Sequence, residues 1–74
     1  MAESIFTIEA DQWSEHGYIC RDGQVMQYET DRKEQTHMEF SSCRLEDFIT
    51  KVDIASEVRE WARQILEERS GFTR

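Results

Sequence analysis

The chain has 74 residues, and its 16 acidic side chains against 9 lysines and arginines give a formal net charge of −7. A chain of this length forms one domain, here 1–74, and buries only about 60% of its unfolded surface, too little for a large enzyme core. Two cysteines are too few for a disulfide-based secreted scaffold, and no apolar run reaches the roughly 20 residues of a membrane span. Without a secretory signal at the N-terminus, the sequence predicts a cytoplasmic protein.

The acidic charge is concentrated in one half of the chain. Residues 1–42 contain nine acidic and three basic side chains, a net charge of −6, whereas residues 43–74 contain seven and six, a net charge of −1. The hydrophobic periodicity changes at the same point, from that of a strand to that of a helix. We therefore divide the domain into a β-meander over 1–42 and a helical part over 43–74.

The first half predicts three or four antiparallel strands. A first strand is predicted over 5–10, where apolar residues recur with a period of two. The dipeptide Asp22-Gly23 lies between two β-prone runs and favours a two-residue type I′ hairpin turn, because both residues tolerate the positive φ angles of this turn. A further strand over 36–40 follows a charged turn.

The predicted turns also predict a register, in which the hairpin turn pairs Ile19 with Met26. A second turn, centred on Lys33, pairs Tyr28 with Met38. One face of the sheet is then apolar and carries Phe6, Ile8, Ala10, Ile19, Met26, Tyr28, Met38 and Phe40. The opposite face is polar and carries Tyr18, Gln27, Glu29, His37, Glu39 and Ser41. Helices are expected to cover the apolar face.

The second half predicts two helices from two apolar stripes with helical spacing. The first stripe consists of Leu45, Phe48, Ile49 and Val52, and the second of Ile54, Val58, Trp61 and Ile65. Because the stripes are rotated by roughly 160° from each other, one straight helix cannot bury both, and a break is predicted near Asp53, a good N-cap. The second helix is expected to end near Ser70, with Gly71 and Phe72 forming its cap. Together these elements predict a two-layer α+β fold, an antiparallel three- to four-stranded β-meander followed by two C-terminal helices packed on one face.

The predicted register brings two histidines and a carboxylate together. His16, Glu29 and His37 fall in one row across three strands, about 4.8 Å apart per step. Imidazole and carboxylate groups suit Zn²⁺ or another divalent cation. Cross-strand Glu–His pairs are also ordinary surface electrostatics, so the row has two interpretations. A small metal-binding or metal-sensing domain is therefore the alternative function, and otherwise no cofactor is expected.

Signatures of catalysis are absent from the sequence. It contains no Gly-rich phosphate loop, no G-x-S-x-G elbow and no H-E-x-x-H helix. The predicted register places Cys20 opposite Val25 and in line with Ser41, so that Cys43 lies beyond disulfide reach. Acidic surroundings also disfavour a reactive thiolate. We therefore expect two reduced, structural cysteines in a protein that is not an enzyme.

Binding to another protein is the function that remains. The acidic half can steer the chain onto a basic partner, including a nucleic-acid-binding protein whose site it occupies by charge mimicry, but no basic stripe supports direct contact with nucleic acid. Trp13 is either a core residue or an exposed interface anchor, and the second apolar stripe is either core or the interface of a homodimer. We predict a small acidic regulator or inhibitor of a protein partner, without membrane contact. Its predicted partner-binding residues are Glu9, Trp13, Tyr18, Glu29 and Glu39.

Overall fold

The computed structural model describes residues 3–70 and contains one antiparallel sheet followed by two helices. The elements in chain order are β1 (Glu3–Ala10), β2 (Ser14–Arg21), β3 (Gln24–Asp31), β4 (Thr36–Arg44), α1 (Leu45–Phe48) and α2 (Ser56–Ser70). The strands lie side by side in the order β1-β2-β3-β4. The predicted α+β fold is confirmed, with four strands in the meander. Within 3–70, no helix is long and apolar enough to span a membrane.

The hairpin between β2 and β3 has the predicted turn and register. Asp22 and Gly23 both have positive φ angles, 55° and 78°, as a type I′ turn requires. Ile19 therefore pairs with Met26, as predicted. The carbonyl oxygen of Gly23 also accepts a hydrogen bond of 2.9 Å from the Leu45 N–H, which ties this turn to the start of α1.

The turn between β3 and β4 spans four residues, 32–35. Gln35 closes it with a positive φ of 59°. The Asp31 carboxylate stabilises it by accepting hydrogen bonds from the backbone N–H groups of Lys33 and Glu34, at 3.0 and 3.1 Å. The sequence predicts a turn symmetric about Lys33, but the even length of the actual turn shifts β4 by one residue.

This shift exchanges the two faces of β4. Tyr28 pairs with Glu39, so the predicted pairing of Tyr28 with Met38 is wrong. Met38 and Phe40 consequently lie on the face opposite Tyr28. A second irregularity, at Ser41 with a φ of 60°, shifts the register again near the end of β4.

The helices cover the face of the sheet that was predicted to be polar. The buried core on this side consists of Cys20, Val25, Leu45, Phe48, Val58 and Ala62. Tyr18, predicted on the polar face, is half-buried beneath the helices, with its ring centroid 5.2 Å from that of Phe48. The prediction failed because both faces of the sheet carry apolar side chains: Ile19 and Tyr28, on the face away from the helices, are only 4% and 3% exposed.

β1 contains a bulge that depends on a glycine in β2. The register shifts at Ile8, where β1 passes Gly17. A Cβ atom at Gly17 would lie 2.0 Å from the carbonyl oxygen of Phe6, so only glycine fits there. Before the bulge, Phe6 pairs with Tyr18 and lies on the helix-covered face, not beside Ile19 as predicted. Ile8 itself is 50% exposed.

α1 is a single turn, shorter than the predicted first helix. Val52, predicted in its apolar stripe, is 94% exposed. The Arg59 side chain donates hydrogen bonds to the carbonyl oxygens of Ile49 and Lys51. These contacts hold the connection between the helices in a non-helical path, which explains why the first helix ends early.

α2 ends at the predicted residue but begins later than predicted, three residues after Asp53. The predicted cap formed by Gly71 and Phe72 lies outside the described residues. The apolar stripe of α2 packs on the sheet, where Val58 is 4% exposed. The partly buried side chains around it are Ile54, Trp61, Ile65 and Leu66. In one chain, this stripe therefore belongs to the core.

Gly17→Ala tests whether the close approach of β1 to β2 is required. The added methyl group collides with the Phe6 carbonyl, so we expect the free energy of unfolding in urea to fall by at least about 2 kcal/mol. Gly23→Asn is the control, because asparagine tolerates positive φ and its Cβ would meet only the movable end of Arg69; its cost should stay below about 1 kcal/mol. Equal costs for the two variants would contradict the bulge.

Leu45→Ala and Val52→Ala test the length of the first helix. Leu45 is 1% exposed, so its truncation should cost about 2–5 kcal/mol of unfolding free energy. Val52 is 94% exposed, so its truncation should change stability by less than about 0.5 kcal/mol. Urea denaturation measures both, and a large cost at Val52 would favour the longer helix that the sequence predicted.

Candidate functional site

The face of the sheet opposite α1 and α2, called here the open face, carries a network of polar side chains centred on Arg21. The open face consists of Glu3, Ile5, Thr7, Glu15, Ile19, Arg21, Met26, Tyr28, Thr30, His37 and Glu39. Arg21 Nε and Nη2 donate to Glu3 Oε2, at 2.9 and 2.7 Å. Its Nη1 and Nη2 donate to the two carboxylate oxygens of Glu39, both at 3.1 Å. One guanidinium on β2 therefore links β1 to β4, the two edges of the sheet.

These contacts hold the Glu39 carboxylate in its charged form. Hydrogen bonds from Arg21, and then from His37, lower the Glu39 pKa to about 2. The same carboxylate is the largest cause of the raised pKa of Arg21. His37 lies between two partners, with Nε2 2.9 Å from Glu39 Oε2 and Nδ1 2.9 Å from Thr30 Oγ1. Its ring also stacks on Tyr28, with centroids 6.0 Å apart.

A second cluster on the open face surrounds the Tyr28 hydroxyl. This hydroxyl donates to Glu15 Oε2 at 2.5 Å and lies 3.0 Å from Thr7 Oγ1. Arg32 Nη2 donates to the other oxygen of Glu15 at 2.7 Å. The hydrogen bond from Tyr28 is the main cause of the lowered pKa of Glu15, whereas burial and then Glu15 raise the pKa of Tyr28. Each carboxylate of the open face is thus bound by an arginine of the same face or its rim, although three carboxylates share two guanidinium groups.

All three basic side chains of the first half are engaged by neighbours. Arg21 and Arg32 bind the carboxylates described above, and Lys33 Nζ lies 5.8 Å from the centroid of the Trp13 ring. The acidic side chains of 3–42 that form no ion pair with a lysine or arginine of the described chain are Glu9, Asp11, Asp22, Glu29, Asp31 and Glu34. All except Asp22 belong to the end of the sheet far from the β2–β3 turn. The uncompensated charge of the first half is therefore collected at that end.

The helix-side face of the sheet extends beyond the helices at this end, and we call the exposed region the acidic end. It consists of Trp13, in the loop between β1 and β2, and Glu9, His16, Glu29, Asp31 and Met38. Glu9, His16, Glu29 and Met38 form one row across the four strands, with His16 Nε2 3.9 Å from Glu9 Oε1. A depression of about 320 Å³ is lined in part by His16, Glu29 and Asp31. Trp13 and Met38 are 51% and 56% exposed, so carboxylates and apolar side chains are accessible together.

The predicted partner-binding residues fall in three places. Glu9, Trp13 and Glu29 lie together at the acidic end. Glu39 lies on the open face and is paired with Arg21, and Tyr18 is half-buried beneath the helices. The prediction that Glu29 and Glu39 share one face is therefore wrong, because the longer turn shifts β4 by one residue.

The predicted row of His16, Glu29 and His37 is also broken by this shift. Glu29 pairs with His16 as predicted, but its partner on β4 is Met38. His37 pairs with Thr30 and lies on the opposite face of the sheet. Within residues 3–70, no three histidine, cysteine, aspartate or glutamate side chains are placed to hold a metal ion. The arrangement on which the metal hypothesis depended is therefore not formed.

The two cysteines lie closer to each other than predicted. Cys20 and Cys43 both pair with Val25, from opposite sides, so they occupy one row of the helix-covered face. Ser41 was predicted in that row, and the longer β3–β4 turn together with the irregularity at Ser41 puts Cys43 there instead. Both thiols are free, and burial raises the pKa of the Cys20 thiol.

Sequence reasoning missed the network around Arg21. Glu3 and Glu39 each lie 18 residues from Arg21, so no local pattern connects them. A correct β3–β4 register would have revealed it, since it places Glu39 beside Tyr28 on the face that carries Arg21.

Comparison with known proteins adds no assignment for this site. The chain matches no protein-family model, and neither the curated proteins nor the solved structures contain a significant match to it. The function is therefore argued from the geometry of the site alone.

Glu39→Gln tests the energetic role of the Arg21 network. Because folding lowers the Glu39 pKa from 4.5 to about 2, ionised Glu39 stabilises the fold above pH 4.5, and this stabilisation is lost as the pH falls to about 2. We expect wild type to be more stable than Glu39→Gln in urea at roughly pH 6, and the difference to shrink between pH 4.5 and about 2. Glu46→Gln, at an exposed position of α1, should show no such dependence. A difference that persists unchanged at low pH would contradict this role.

Proposed function

We propose that this protein binds a basic segment of a partner protein at its acidic end and thereby regulates or inhibits that partner. The observation that carries the proposal is the combination, at one place, of uncompensated carboxylates and exposed apolar side chains. Glu9 and Glu29 flank His16 on neighbouring strands, and Met38 pairs with Glu29 in the same row. Trp13 lies in the β1–β2 loop at this end of the sheet, and both Trp13 and Met38 are more than half exposed. Carboxylates select and orient a basic partner, whereas exposed aromatic and methionine side chains supply contact area.

The distribution of charge supports a directed interaction. On the open face, the two guanidinium groups of Arg21 and Arg32 offset all but one of the carboxylate charges that they bind, so that face contributes a weaker field at a distance. At the acidic end, Glu9 and Glu29 have no lysine or arginine partner within the described residues, and Lys33 beside Trp13 offsets only part of the negative charge there. A basic protein would be attracted to this end first. Proteins that bind nucleic acid through a cationic surface belong to this class of partner.

The other expectations from the sequence concern a homodimer, a cellular compartment and a metal ion. The α2 stripe predicted for a homodimer packs in the core of one chain, with Val58 4% exposed, so a proposed dimer must use another surface. Light scattering would detect such a dimer. Two free cysteines fit a reducing compartment such as the cytoplasm, where we place the interaction. The metal-binding alternative loses its support, because His37 lies on the other face from His16 and Glu29.

Glu9→Gln/Glu29→Gln tests the acidic end directly. The wild-type chain is used as bait in a lysate of its source organism, and the Kd of the isolated partner is then measured by calorimetry. We expect the double variant to weaken binding at least about 10-fold at low salt, because it removes two uncompensated charges from the proposed contact surface. The loss should be smaller at high salt, where exposed charges are screened.

Glu46→Gln/Glu67→Gln is the matched control, since it removes the same charge from exposed positions of α1 and α2. It should change the Kd by less than about 2-fold, because these positions lie outside the acidic end. If both double variants lose the same affinity, the effect comes from the net charge of the chain. If Glu9→Gln/Glu29→Gln loses no affinity, the acidic end is excluded as the binding site.

A further inference from the structure

β1 forms one edge of the sheet, with β2 on one side and no strand of residues 3–70 on the other. Alternate backbone N–H and C=O groups of an edge strand point outward and can pair with another strand, and natural edges are commonly protected by lysine, proline or a bulge. The β1 segment 3–10 contains neither lysine nor proline, and its bulge lies at Ile8. Residues 3–7 therefore present a regular, unprotected edge.

A shallow groove that is widely open to solvent lies beside this edge, between β1 and α2. Phe6 and Trp61 form its apolar floor; both are half-buried, and their ring centroids are 5.7 Å apart. Glu57 and Glu60 are exposed along the α2 side of the groove. Glu60 has an exposed partner, Arg63, at 3.3 Å, so Glu57 is the less compensated of the two. A strand added to β1 can place a side chain in this groove while its backbone pairs with the edge.

We infer that the basic segment of the partner binds in extended form, as a fifth strand along β1, with one of its apolar side chains in the groove. The inference rests on the proposed function and specifies its ligand, an extended peptide in which lysine or arginine lies two residues before and two residues after an apolar residue. Because strand side chains alternate between faces, these three side chains all point to the face of the groove. Charge complementarity favours this occupant, because Glu57 and Glu60 border the groove and Glu9 lies where the edge reaches the acidic end. Backbone pairing supplies affinity and the groove supplies selectivity, as in other strand-addition complexes.

A second copy of this chain fits the same edge poorly. Each copy carries a net charge of −7, and the segment 3–10 contains no basic residue. Pairing of two β1 strands would bring the carboxylates of Glu3, Glu9 and Glu57 from both copies towards one seam. Like charges on paired strands are destabilising, so the charge favours a basic partner at this edge.

Amide hydrogen exchange measured by NMR on the full chain tests strand addition. The probe is an eight-residue peptide, capped at both ends, with valine at its fourth position, lysine two residues before and two residues after it, and threonine elsewhere. At saturation, exchange of the outward-pointing amides of 3–7 should slow at least about 10-fold, because these N–H groups become hydrogen bonded. The amides of β4, at the other edge of the sheet, serve as the internal control and should not change.

Charge variants on α2 complete the test. Glu57→Gln/Glu60→Gln should weaken binding of the peptide at least about 5-fold, whereas Glu67→Gln/Glu68→Gln, with the same change in charge, should alter it less than about 2-fold. Peptide binding without protection of 3–7 would overturn strand addition and leave the proposed function standing. Absence of peptide binding would also overturn the inference, while the experiment on the acidic end decides the proposed function separately. If protection of the amides of 3–7 increases with protein concentration in the absence of peptide, the edge pairs with a second copy of the chain.

Discussion

The length of the turn between β3 and β4 determines how the sheet distributes its charge. With four residues in this turn, Glu39 faces the open side, where Arg21 binds it. The same guanidinium binds Glu3 on β1, so one cation holds carboxylates from both edges of the sheet. The acidic side chains of the first half that have no basic partner then lie, except for Asp22, at the end of the sheet far from the β2–β3 turn. A turn shifted by one residue would place Met38 beside Tyr28 and leave Arg21 without its partner on β4.

The sheet shields apolar side chains on both faces by different means. Helices cover one face, where Val25 is 1% exposed. On the open face, Ile19 and Tyr28 reach 4% and 3% exposure, although the described helices lie on the other side. Long polar side chains provide the cover there: the His37 ring stacks on Tyr28, and Arg21 spans the sheet. A hydrogen-bonded polar layer thus replaces a second layer of helices in a chain too short to supply one.

Structure with a local signature was predictable, and structure decided by distant contacts was not. The Asp22-Gly23 turn was predicted because both residues tolerate positive φ, whereas the positive φ of Gln35 has no glycine or asparagine to announce it. The early end of α1 depends on Arg59, ten residues beyond one of the carbonyls that it binds. At the candidate site, the same division holds. Glu9 and Glu29 lie on one face at the same end of the sheet. The β4 shift places His37 and Glu39 on the other face, and the helices cover the face that carries Tyr18.

The carboxylates without a basic partner and the unprotected edge strand lie close together where β1 reaches the acidic end. The charge restricts which strands can pair with the edge, and the edge restricts a bound partner to an extended conformation. An edge strand without lysine or proline would pair readily with another copy of itself if the surroundings were neutral. Here Glu9 and Glu57 stand near the edge without a basic partner in the described chain, so a second acidic strand is repelled and a basic one is attracted. The position of the acidic side chains, and not only the net charge of −7, therefore affects which strands can pair with β1. In the proposed complex, these carboxylates attract a basic strand to β1 and oppose the pairing of β1 with a second copy.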